Sequence, residues 1–410
     1  FNEIDGDYSG DPSTLATIFK QVRNKMREAD SSIKVGALAA ANPWGDSYMD
    51  GFLNGVGSEI DFFSYHHYGS GSTGTGINDL YNSTEGLASR ASGVRNKLVS
   101  RGLNIPLFLD EHNMFDTWDK DTAGLMRSSG SAVWDALFLK HLVEGSDADG
   151  LFTWNDADYT YGKLDPSNNA YSARWSAHFM KLAKDHLIGD FVDVSTSDGN
   201  VRGFAVRNGT KFSLVLINRS DATQLVDTSF ANNWAPSSTG YTEHRVSASE
   251  TNGYGSSSRT WSGAPQNISM PAHSVYVLVF TGSSIGGGQR PYGGSARNLP
   301  GRIQAEDYDH GGKFVAYFDD STGNAGGQYR SDHVDIYTTG DAGGGYRVNS
   351  TQAREYWRYT VNVPAGGYNV KLRAASYWGT SANAITIKIN GTTLGSVAVL
   401  AGAFSARSQR

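Results

Sequence analysis

The chain has 410 residues, too many for one ordinary domain, and its hydrophobic content of 39% can fill sizeable cores. Its net charge of −6 includes no long run of like charges, which argues against a nucleic-acid or anionic-membrane partner. The absence of cysteine excludes disulfides and thiolate metal sites, and no run of about 18 apolar residues is present to span a membrane.

The first 186 residues alternate short apolar runs with helical patterns, which predicts successive β/α units. Asp11-Pro12-Ser13 predicts the start of a helix soon after Asn2-Glu3. Strands are predicted at 33–38, 60–68, 105–109 and 150–155, and further helices at 48–56, 78–101, 124–144 and 170–184. Because a complete barrel has eight strands, residues 1–186 are expected to form the C-terminal half of a (β/α)8 barrel, in a shortened form of a longer protein.

Residues 187–282 change to strands separated by turns, which predicts an antiparallel β-sandwich. The hairpin signal Asn208-Gly209 lies between two of these strands. Residues 283–300 are rich in glycine and are expected to be a flexible linker. The strands are predicted at 191–194, 201–206, 212–217 and 274–280.

Residues 301–410 form a second all-β region. Strands are predicted at 356–363, 368–373 and 384–389, and Asn390-Gly391 again marks a hairpin turn. The segment from Ala403 to Arg410 is polar and without pattern where a sandwich needs further strands. This region is therefore expected to be truncated at its C-terminus.

Glu3 and Glu111 are the candidate catalytic residues. The apolar run 105–109 stops at Asp110 and Glu111, and the C-terminal end of a barrel strand is the ordinary place for a catalytic group. Hydrolysis of a glycosidic bond needs one carboxyl group to protonate the leaving oxygen and a second on the other face of the sugar, about 5–5.5 Å away in retaining enzymes. Glu3 lies at another strand end, where Asn2 could hydrogen-bond a sugar 2-hydroxyl. The alternative is that both glutamates lie on an ordinary surface.

The cluster His66-His67-Tyr68 ends another predicted strand. Adjacent histidines on a strand point to opposite faces, so one of the two is expected to face the site and the other to be structural. Whichever histidine faces the site is expected, with Tyr68, to bind sugar hydroxyls or to orient Glu111. A metal site would need further ligands from other strands. Trp154 is expected either to stack on a sugar face or to pack inside the barrel.

The order of these motifs in residues 1–186 resembles the large clan of retaining glycoside hydrolases built on (β/α)8 barrels. The resemblance implies that Glu3 is the acid/base, at the end of the fourth strand, and that Glu111 is the nucleophile, at the end of the seventh. It places Trp154 on the eighth strand and leaves the first three strands without a counterpart. Residues 1–282 look most like family 86 β-agarases and porphyranases, and the family 39 β-xylosidase type is the second choice.

Residues 301–410 resemble a family 6 carbohydrate-binding module, a β-sandwich of jelly-roll type. The resemblance implies that Tyr329 and Trp378 hold a sugar between two aromatic rings and that a structural calcium lies near Glu306. An asparagine expected later in such modules would fall beyond the end of this chain. The segments that carry the resemblance are 303–309, 329–336 and 359–368.

Together these features predict a secreted bacterial hydrolase of a β-linked polysaccharide, most similar to enzymes of algal galactans, with no cofactor for catalysis. The alternatives are a β-xylosidase or xylanase type of hydrolase, or a non-catalytic carbohydrate-binding fragment. The expected partners are the polysaccharide and the missing N-terminal half of the barrel, without which the 410-residue chain is expected to be feebly active at best.

Overall fold

In the computed structural model of the protein, two compact units are present, Phe1–Gly287 and Gly288–Arg410. The division falls inside the predicted linker 283–300. No helix in the part of the chain that the structure describes is long and apolar enough to cross a membrane. The described residues are 2–3, 11–41, 46–145, 148–167, 170–208, 211–230, 240–261, 264–280, 289–313, 315–321, 323–341, 345–352, 354–376, 379 and 381–399.

The first part of unit 1 alternates helices and strands. The elements are α1 (Pro12–Ala29), β1 (Ala37–Ala40), α2 (Asp46–Val56), β2 (Phe63–Ser70), α3 (Ile77–Ser83), α4 (Leu87–Val99), β3 (Leu107–Phe115), α5 (Ser129–Gly145), β4 (Gly150–Leu151), β5 (Leu164–Asp165), β6 (Ser172–Ala173) and α6 (Trp175–His186). As the sequence predicts, α1 begins at Pro12, because the Asp11 carboxylate accepts a hydrogen bond from the backbone N–H of Thr14.

β1 to β4 form one parallel sheet in the order β1-β2-β3-β4, so that each strand lies beside the next one along the chain. Among the described residues, neither β1 nor β4 has a second neighbouring strand. The backbone N–H of Glu3 donates to the carbonyl oxygen of Ala39 at 2.9 Å, which brings the beginning of the chain to the β1 edge.

Several predicted boundaries were wrong. β3 continues to Phe115, because the backbone of its polar residues keeps pairing with β2 as far as Ser70. The helix predicted at 78–101 divides at 84–86, where the Thr84 hydroxyl donates to the Tyr81 carbonyl instead of facing solvent. β4 contains two residues rather than the predicted six.

A β-bulge lies in the middle of β3. Tyr65 pairs with Leu109 and His66 pairs with Glu111, so Asp110 is an extra residue with no partner in β2. In a regular strand the side chains of Asp110 and Glu111 would point to opposite faces. The bulge removes this alternation at the two acidic residues.

The second part of unit 1 is antiparallel, as predicted. Six strands form one sheet in the order β12-β11-β14-β9-β8-β7, and β10 and β13 form a separate pair. The bounds are β7 (Asp190–Asp193), β8 (Val201–Asn208), β9 (Lys211–Asn218), β10 (Gln224–Val226), β11 (Gly240–Val246), β12 (Tyr254–Thr260), β13 (Ile268–Met270) and β14 (Ser274–Phe280). Gly209 of the predicted hairpin signal lies outside the described residues.

The two parts of unit 1 share one hydrophobic core, and α5 lies at its centre. This helix is buried on nearly all sides, because it packs on α4 and α6 and also on β8, β9 and β14. A polar contact also crosses between the two parts. Arg219, just after β9, donates to the Glu85 carboxylate at 2.7 Å and to the side-chain oxygen of Asn82.

Unit 2 contains four two-stranded pairs in its described residues: β15 with β20, β16 with β19, β17 with β18, and β21 with β22. The predicted strand 368–373 is wrong, since its apolar side chains Tyr368 and Val370 are exposed and no core covers them among the described residues. Asn390 and Gly391 form the predicted two-residue turn, both with positive φ (48° and 82°). The bounds are β15 (Arg297–Asn298), β16 (Tyr317–Phe318), β17 (Ile336–Thr338), β18 (Tyr346–Val348), β19 (Tyr356–Trp357), β20 (Val361–Asn362), β21 (Ser381–Ile389) and β22 (Thr392–Val399).

Much of the predicted linker belongs to unit 2. The buried Asp309 carboxylate accepts a hydrogen bond from the side chain of Gln289 at 2.7 Å. Arg290 pairs with His310 through both backbone groups, and β15 pairs with β20. From residue 289 onward the chain is therefore attached to unit 2 rather than free, because its polar groups find partners there.

Candidate active site

Glu3 and Glu111 meet at the imidazole ring of His66. The Nδ1 atom of His66 lies 2.8 Å from Oε1 of Glu3 and 2.9 Å from Oε2 of Glu111. The ligand atoms of these three groups all lie within 4.8 Å of one another. Two carboxylates from distant parts of the sequence therefore share one nitrogen.

Asp110 is a third carboxylate in the same cluster, and sequence reasoning did not single it out as a site residue. Its Oδ1 lies 3.5 Å from Nε2 of His66, on the other side of the ring. Asp110 reaches His66 because the bulge turns it toward the same face as Glu111. The signal that could have identified it is the Asp-Glu pair at the end of an apolar run.

A closed ring of contacts connects the backbone of Glu3 to its own side chain. The Glu3 N–H donates to the Ala39 carbonyl, and the Ala39 N–H donates to the Ser64 hydroxyl at 3.1 Å. Ser64 hydrogen-bonds the Asp110 carboxylate, which faces His66, and His66 contacts the Glu3 carboxylate. The position of Glu3 therefore depends on β1, β2 and β3 together.

The charges in this cluster change the protonation of its members. Burial disfavours protonation of His66, but hydrogen bonds from the ring to Glu111 and Glu3, together with the charges of Glu111 and Asp110, outweigh burial and raise its pKa to about 8. Burial raises the pKa of Glu111, but His66 and Tyr68 outweigh burial and hold that pKa below its usual range. For Asp110, burial dominates and raises the pKa.

Two tyrosines complete the surroundings of Glu111. The Tyr68 hydroxyl hydrogen-bonds the Glu111 carboxylate, and burial together with the Glu111 charge raises the tyrosine pKa, so this hydroxyl remains a donor. Tyr161 also feels the charge of Glu111, and burial and the charge of Asp116 raise its pKa to about 12. Sequence reasoning missed Tyr161 because it lies between β4 and β5, in a segment without a periodic pattern.

His67 faces away from the carboxylates, which corrects its assignment to sugar binding. Its ring is buried, lies 5.5 Å from the ring of Phe138 on α5, and burial lowers its pKa to about 4. His112 lies on the same side, stacked on Phe138 at 4.5 Å, with Nδ1 2.6 Å from the carbonyl oxygen of Phe152. Alternation along β2 thus leaves only His66 of the adjacent pair at the site.

Trp154 lies just after β4, and its backbone is bonded to the residue that follows Glu111. Its backbone N–H donates to the carbonyl of His112 at 3.0 Å, and its side chain is 45% exposed, so the ring is accessible to a ligand. The rings of Phe62 (just before β2), Phe108 (on β3) and Phe152 (just after β4) form a row, with centroids 5.5 and 6.3 Å apart. Asn2 is exposed, and its proposed contact with a sugar stays a prediction.

The atoms of Glu3, His66 and Glu111 lie close enough to hold a metal ion, and imidazole nitrogen and carboxylate oxygen are ligands that zinc accepts. A metal would need the lone pair of His66 Nδ1 on the side of the carboxylates. The observed contacts to two acceptors instead require a hydrogen on Nδ1 when both carboxylates are ionised. These two states exclude each other, so chelation provides a test.

In unit 2, Tyr329 is partly exposed and has φ of +64°. Its hydroxyl donates to the Asp307 carboxylate at 2.6 Å, and its ring lies 4.6 Å from Tyr346 and 5.8 Å from Tyr292. Tyr292 and Tyr346 were not predicted, since neither lies in a segment that carries the resemblance. Trp378 lies outside the described residues.

Glu306 is buried, and burial together with the charge of Asp307 raises its pKa. Within the described part of the chain, Glu306 belongs to no group of three or more His, Asp or Glu side chains arranged to hold an ion. Asp307 is already paired with Arg297 and Tyr329. Because calcium also binds backbone and amide carbonyl oxygens, which such a group of side chains does not include, the calcium near Glu306 stays a prediction.

No protein-family profile and no curated protein matches the chain. Solved structures do resemble it. An α-L-arabinofuranosidase from Thermotoga maritima, in complex with arabinose, has a TM-score of 0.53 at 13% identity, over 66% of this chain and 62% of its own. A family 51 α-L-arabinofuranosidase from Thermotoga petrophila RKU-1 has a TM-score of 0.51 at 14% identity, over 66% and 62%. A family 51 enzyme of the same kind from Bifidobacterium longum has a TM-score of 0.50 at 13% identity, over 68% and 66%.

At these identities the likeness shows the fold alone. Over about two thirds of its length the chain therefore has a fold that is found in glycoside hydrolases. The chain spans about 62% of the length of the Thermotoga structures that it resembles.

Proposed function

We propose that the chain carries the catalytic pair of a retaining glycoside hydrolase, with Glu111 as the nucleophile and Glu3 as the acid/base. One observation carries the proposal: oxygen atoms of the two carboxylates lie within 4.8 Å of each other. Retaining enzymes hold their carboxyl groups about 5–5.5 Å apart, whereas inverting enzymes need about 6.5–9.5 Å to admit a water molecule.

The environments of the two glutamates support different roles. Glu111 has a mostly buried side chain and accepts hydrogen bonds from His66 and Tyr68, which keep it ionised and fix its direction. An ionised, oriented carboxylate is suited to attack the anomeric carbon. Glu3 is 40% exposed and lies nearer to solvent, where it can protonate the leaving oxygen and later deprotonate a water.

In the proposed mechanism Glu111 attacks the anomeric carbon while the Glu3 carboxylic acid gives its proton to the departing glycosidic oxygen. The product is a glycosyl ester of Glu111, with Glu3 ionised. Glu3 then removes a proton from water, the water oxygen attacks the same carbon, and the Glu111 carboxylate leaves. Trp154 provides an accessible ring at the site on which a sugar can stack.

The substrate that we propose is a β-linked polysaccharide, with an algal galactan such as agarose or porphyran as the first choice. This choice rests on the resemblance of residues 1–282 to family 86 enzymes. A β-xylan is the second choice, from the family 39 type. Tyr329 would bind the polysaccharide through unit 2, and we propose that the protein is secreted, because such substrates are extracellular.

Hydrolysis of agarose, porphyran, β-xylan and an aryl α-L-arabinofuranoside by the 410-residue chain tests the proposal. Cleavage should release a sugar with the anomeric configuration of the substrate, visible by NMR within the first turnovers. Glu111→Gln should abolish cleavage, and Glu28→Gln, at an exposed glutamate on α1, should leave it unchanged. Product of inverted configuration would refute the roles given to the pair.

The alternative is a carbohydrate-binding fragment without catalysis. It is favoured if the chain is retarded by a polysaccharide in affinity electrophoresis but cleaves none of the four substrates. In that case Glu111→Gln should leave retardation unchanged, since Glu111 would have no role in catalysis and binding would not depend on it.

A further inference from the structure

The ring of His66 is surrounded by three carboxylates. Nδ1 contacts Glu3 and Glu111, and Nε2 lies 3.5 Å from Oδ1 of Asp110. The His66 side chain is only 2% exposed, so solvent has little access to the ring. The proton positions on His66 are therefore set by these neighbours, with the Tyr68 hydroxyl adding a contact to Glu111.

Whether Nδ1 or Nε2 carries the hydrogen decides whether His66 attracts or repels the two glutamates. A neutral imidazole has one protonated nitrogen and one lone pair. With the hydrogen on Nε2 alone, the Nδ1 lone pair would face two carboxylates and repel both. With hydrogen on Nδ1, the ring attracts both carboxylates and holds them near each other.

We propose that Asp110 is a positioning residue that holds His66 from the Nε2 side and so keeps the Nδ1 hydrogen between Glu3 and Glu111. This inference rests on the proposed roles of the two glutamates. Asp110 is itself held by the Ser64 hydroxyl, while its Oδ1 is inaccessible to solvent and has no hydrogen-bond partner among the described residues. At 3.5 Å from Nε2, Oδ1 acts on the ring mainly through its charge, which favours the imidazolium form.

A fixed Nδ1 hydrogen is useful because negative charge moves between the two glutamates during a retaining reaction. Before the first step Glu111 is ionised and Glu3 is protonated. In the glycosyl-enzyme Glu111 is an ester and Glu3 is ionised. His66 serves both states without giving up a proton, because its Nδ1 hydrogen faces whichever carboxylate is charged.

NMR of the 410-residue protein labelled with 15N-histidine tests this inference without any substrate. The His66 signals are identified by their loss in His66→Gln. We expect hydrogen on Nδ1 at pH 7 in the wild type, and a fall of the apparent His66 pKa by about one unit or more in Asp110→Asn. Asp50→Asn, which breaks a surface ion pair with Lys97 and Arg101, should leave the His66 signals unchanged.

Two results would overturn the inference: a His66 that carries hydrogen on Nε2 alone in the wild type, or an Asp110→Asn protein with the wild-type His66 titration. If Asp110→Asn does not fold, Ser64→Ala, which releases the Asp110 carboxyl, is judged by the same criterion with a smaller expected shift. In the kinetic experiment, Asp110→Asn should lower kcat about 10- to 100-fold with little change in KM, the scale for losing a group that orients a functional histidine. If the wild type releases product of inverted configuration, the proposed function fails, whereas the NMR result still decides the role of Asp110.

Discussion

Glu111 on β3 is paired in register with His66 on β2, and Nδ1 of that histidine lies 2.9 Å from the Glu111 carboxylate. Neighbours in register keep a fixed distance, because the ladder between the strands holds their backbones. The contact therefore does not depend on a mobile loop. The pairing of β2 with β3 therefore fixes the orientation of the proposed nucleophile.

Azide should distinguish the roles of the two glutamates. Glu111→Ala should abolish hydrolysis and regain turnover in azide, with a glycosyl azide of inverted configuration, because the small anion enters the space left by the carboxylate. Glu3→Ala should instead give a glycosyl azide of retained configuration, since azide then attacks the ester of Glu111 from the other face. NMR of the products reports both outcomes, and the same configuration from both variants would contradict the assignment.

The stability of unit 1 should fall as the pH rises from about 6.5 to about 8. The folded state holds the His66 proton with a pKa of about 8, above the value of about 6.5 in an unfolded chain, so this stabilisation is complete below pH 6.5 and is lost as pH passes 8. The expected contribution is about 2 kcal/mol at most. Urea unfolding followed by tryptophan fluorescence between pH 6 and 9 measures it. His66→Gln should flatten the dependence. His178→Gln, at a histidine that contacts the Asn252 carbonyl, should preserve it.

Chelation should leave hydrolysis unchanged. If His66 carries hydrogen on Nδ1 between the two glutamates, no lone pair remains there for a metal ion. Overnight dialysis against EDTA followed by the polysaccharide assay checks this. Activity that is lost on dialysis and regained with zinc would assign the cluster to a metal instead.

Arg219 should stabilise unit 1 more than its neighbour Arg202. Arg219 is buried, bonds Glu85 and Asn82, and lies 5.7 Å from the ring of Tyr81, whereas Arg202 reaches the same Glu85 only at 3.4 Å. Arg219→Ala should lower the free energy of unfolding by about 1–3 kcal/mol, and Arg202→Ala by less than about 0.5 kcal/mol. Equal effects in urea unfolding would show that this connection between the two parts of unit 1 is not specific.

Tyr329→Ala should weaken polysaccharide binding by about 1–3 kcal/mol, the scale for losing an aromatic contact with a ligand. Affinity electrophoresis of the full chain in agarose and xylan gels provides the measurement. Tyr368→Ala is the matched control, because that ring is equally exposed and its hydroxyl donates to the nearby Pro364 carbonyl. Equal retardation of both variants would show that the Tyr329 ring does not contribute to binding.

The proximity of Glu3 and Glu111 could be predicted, because strand ends of β/α units converge at one edge of a sheet. Alternation predicted that His66 and His67 point to opposite faces of β2. It did not predict which of the two faces the site, since that depends on which face α5 covers. The Asp-Glu pair marks Asp110 as a candidate, but the face to which its side chain points could not be predicted, because a bulge depends on how two strands pair.

Other differences have similar causes. Tyr161 comes from an irregular segment whose path is fixed by tertiary contacts, such as the hydrogen bond from its hydroxyl to the Asp116 carbonyl. The glycine-rich composition of 283–300 predicted a free linker, but Gln289 and Arg290 find partners on unit 2 that the composition does not reveal. Local patterns therefore gave the type of most elements, and long-range contacts decided their ends.

Because of the bulge, β3 has one residue more than the part of β2 with which it pairs. Tyr65 pairs with Leu109 and His67 pairs with His112, and Tyr65 and His67 lie on one face of β2 because they are two residues apart. Leu109 and His112 therefore share the helix-facing side of β3, although two residues rather than one separate them. Asp110 is the residue in excess.

Removing Asp110 by deletion would therefore leave a strand with regular alternation, in which Leu109 and His112 keep their face and Glu111 remains opposite His66. The third carboxylate can be gained or lost as a single inserted residue, without sliding β3 past β2. Proteins that share this site but differ by one residue at this point should retain both glutamates in place, and would differ in how firmly His66 is held.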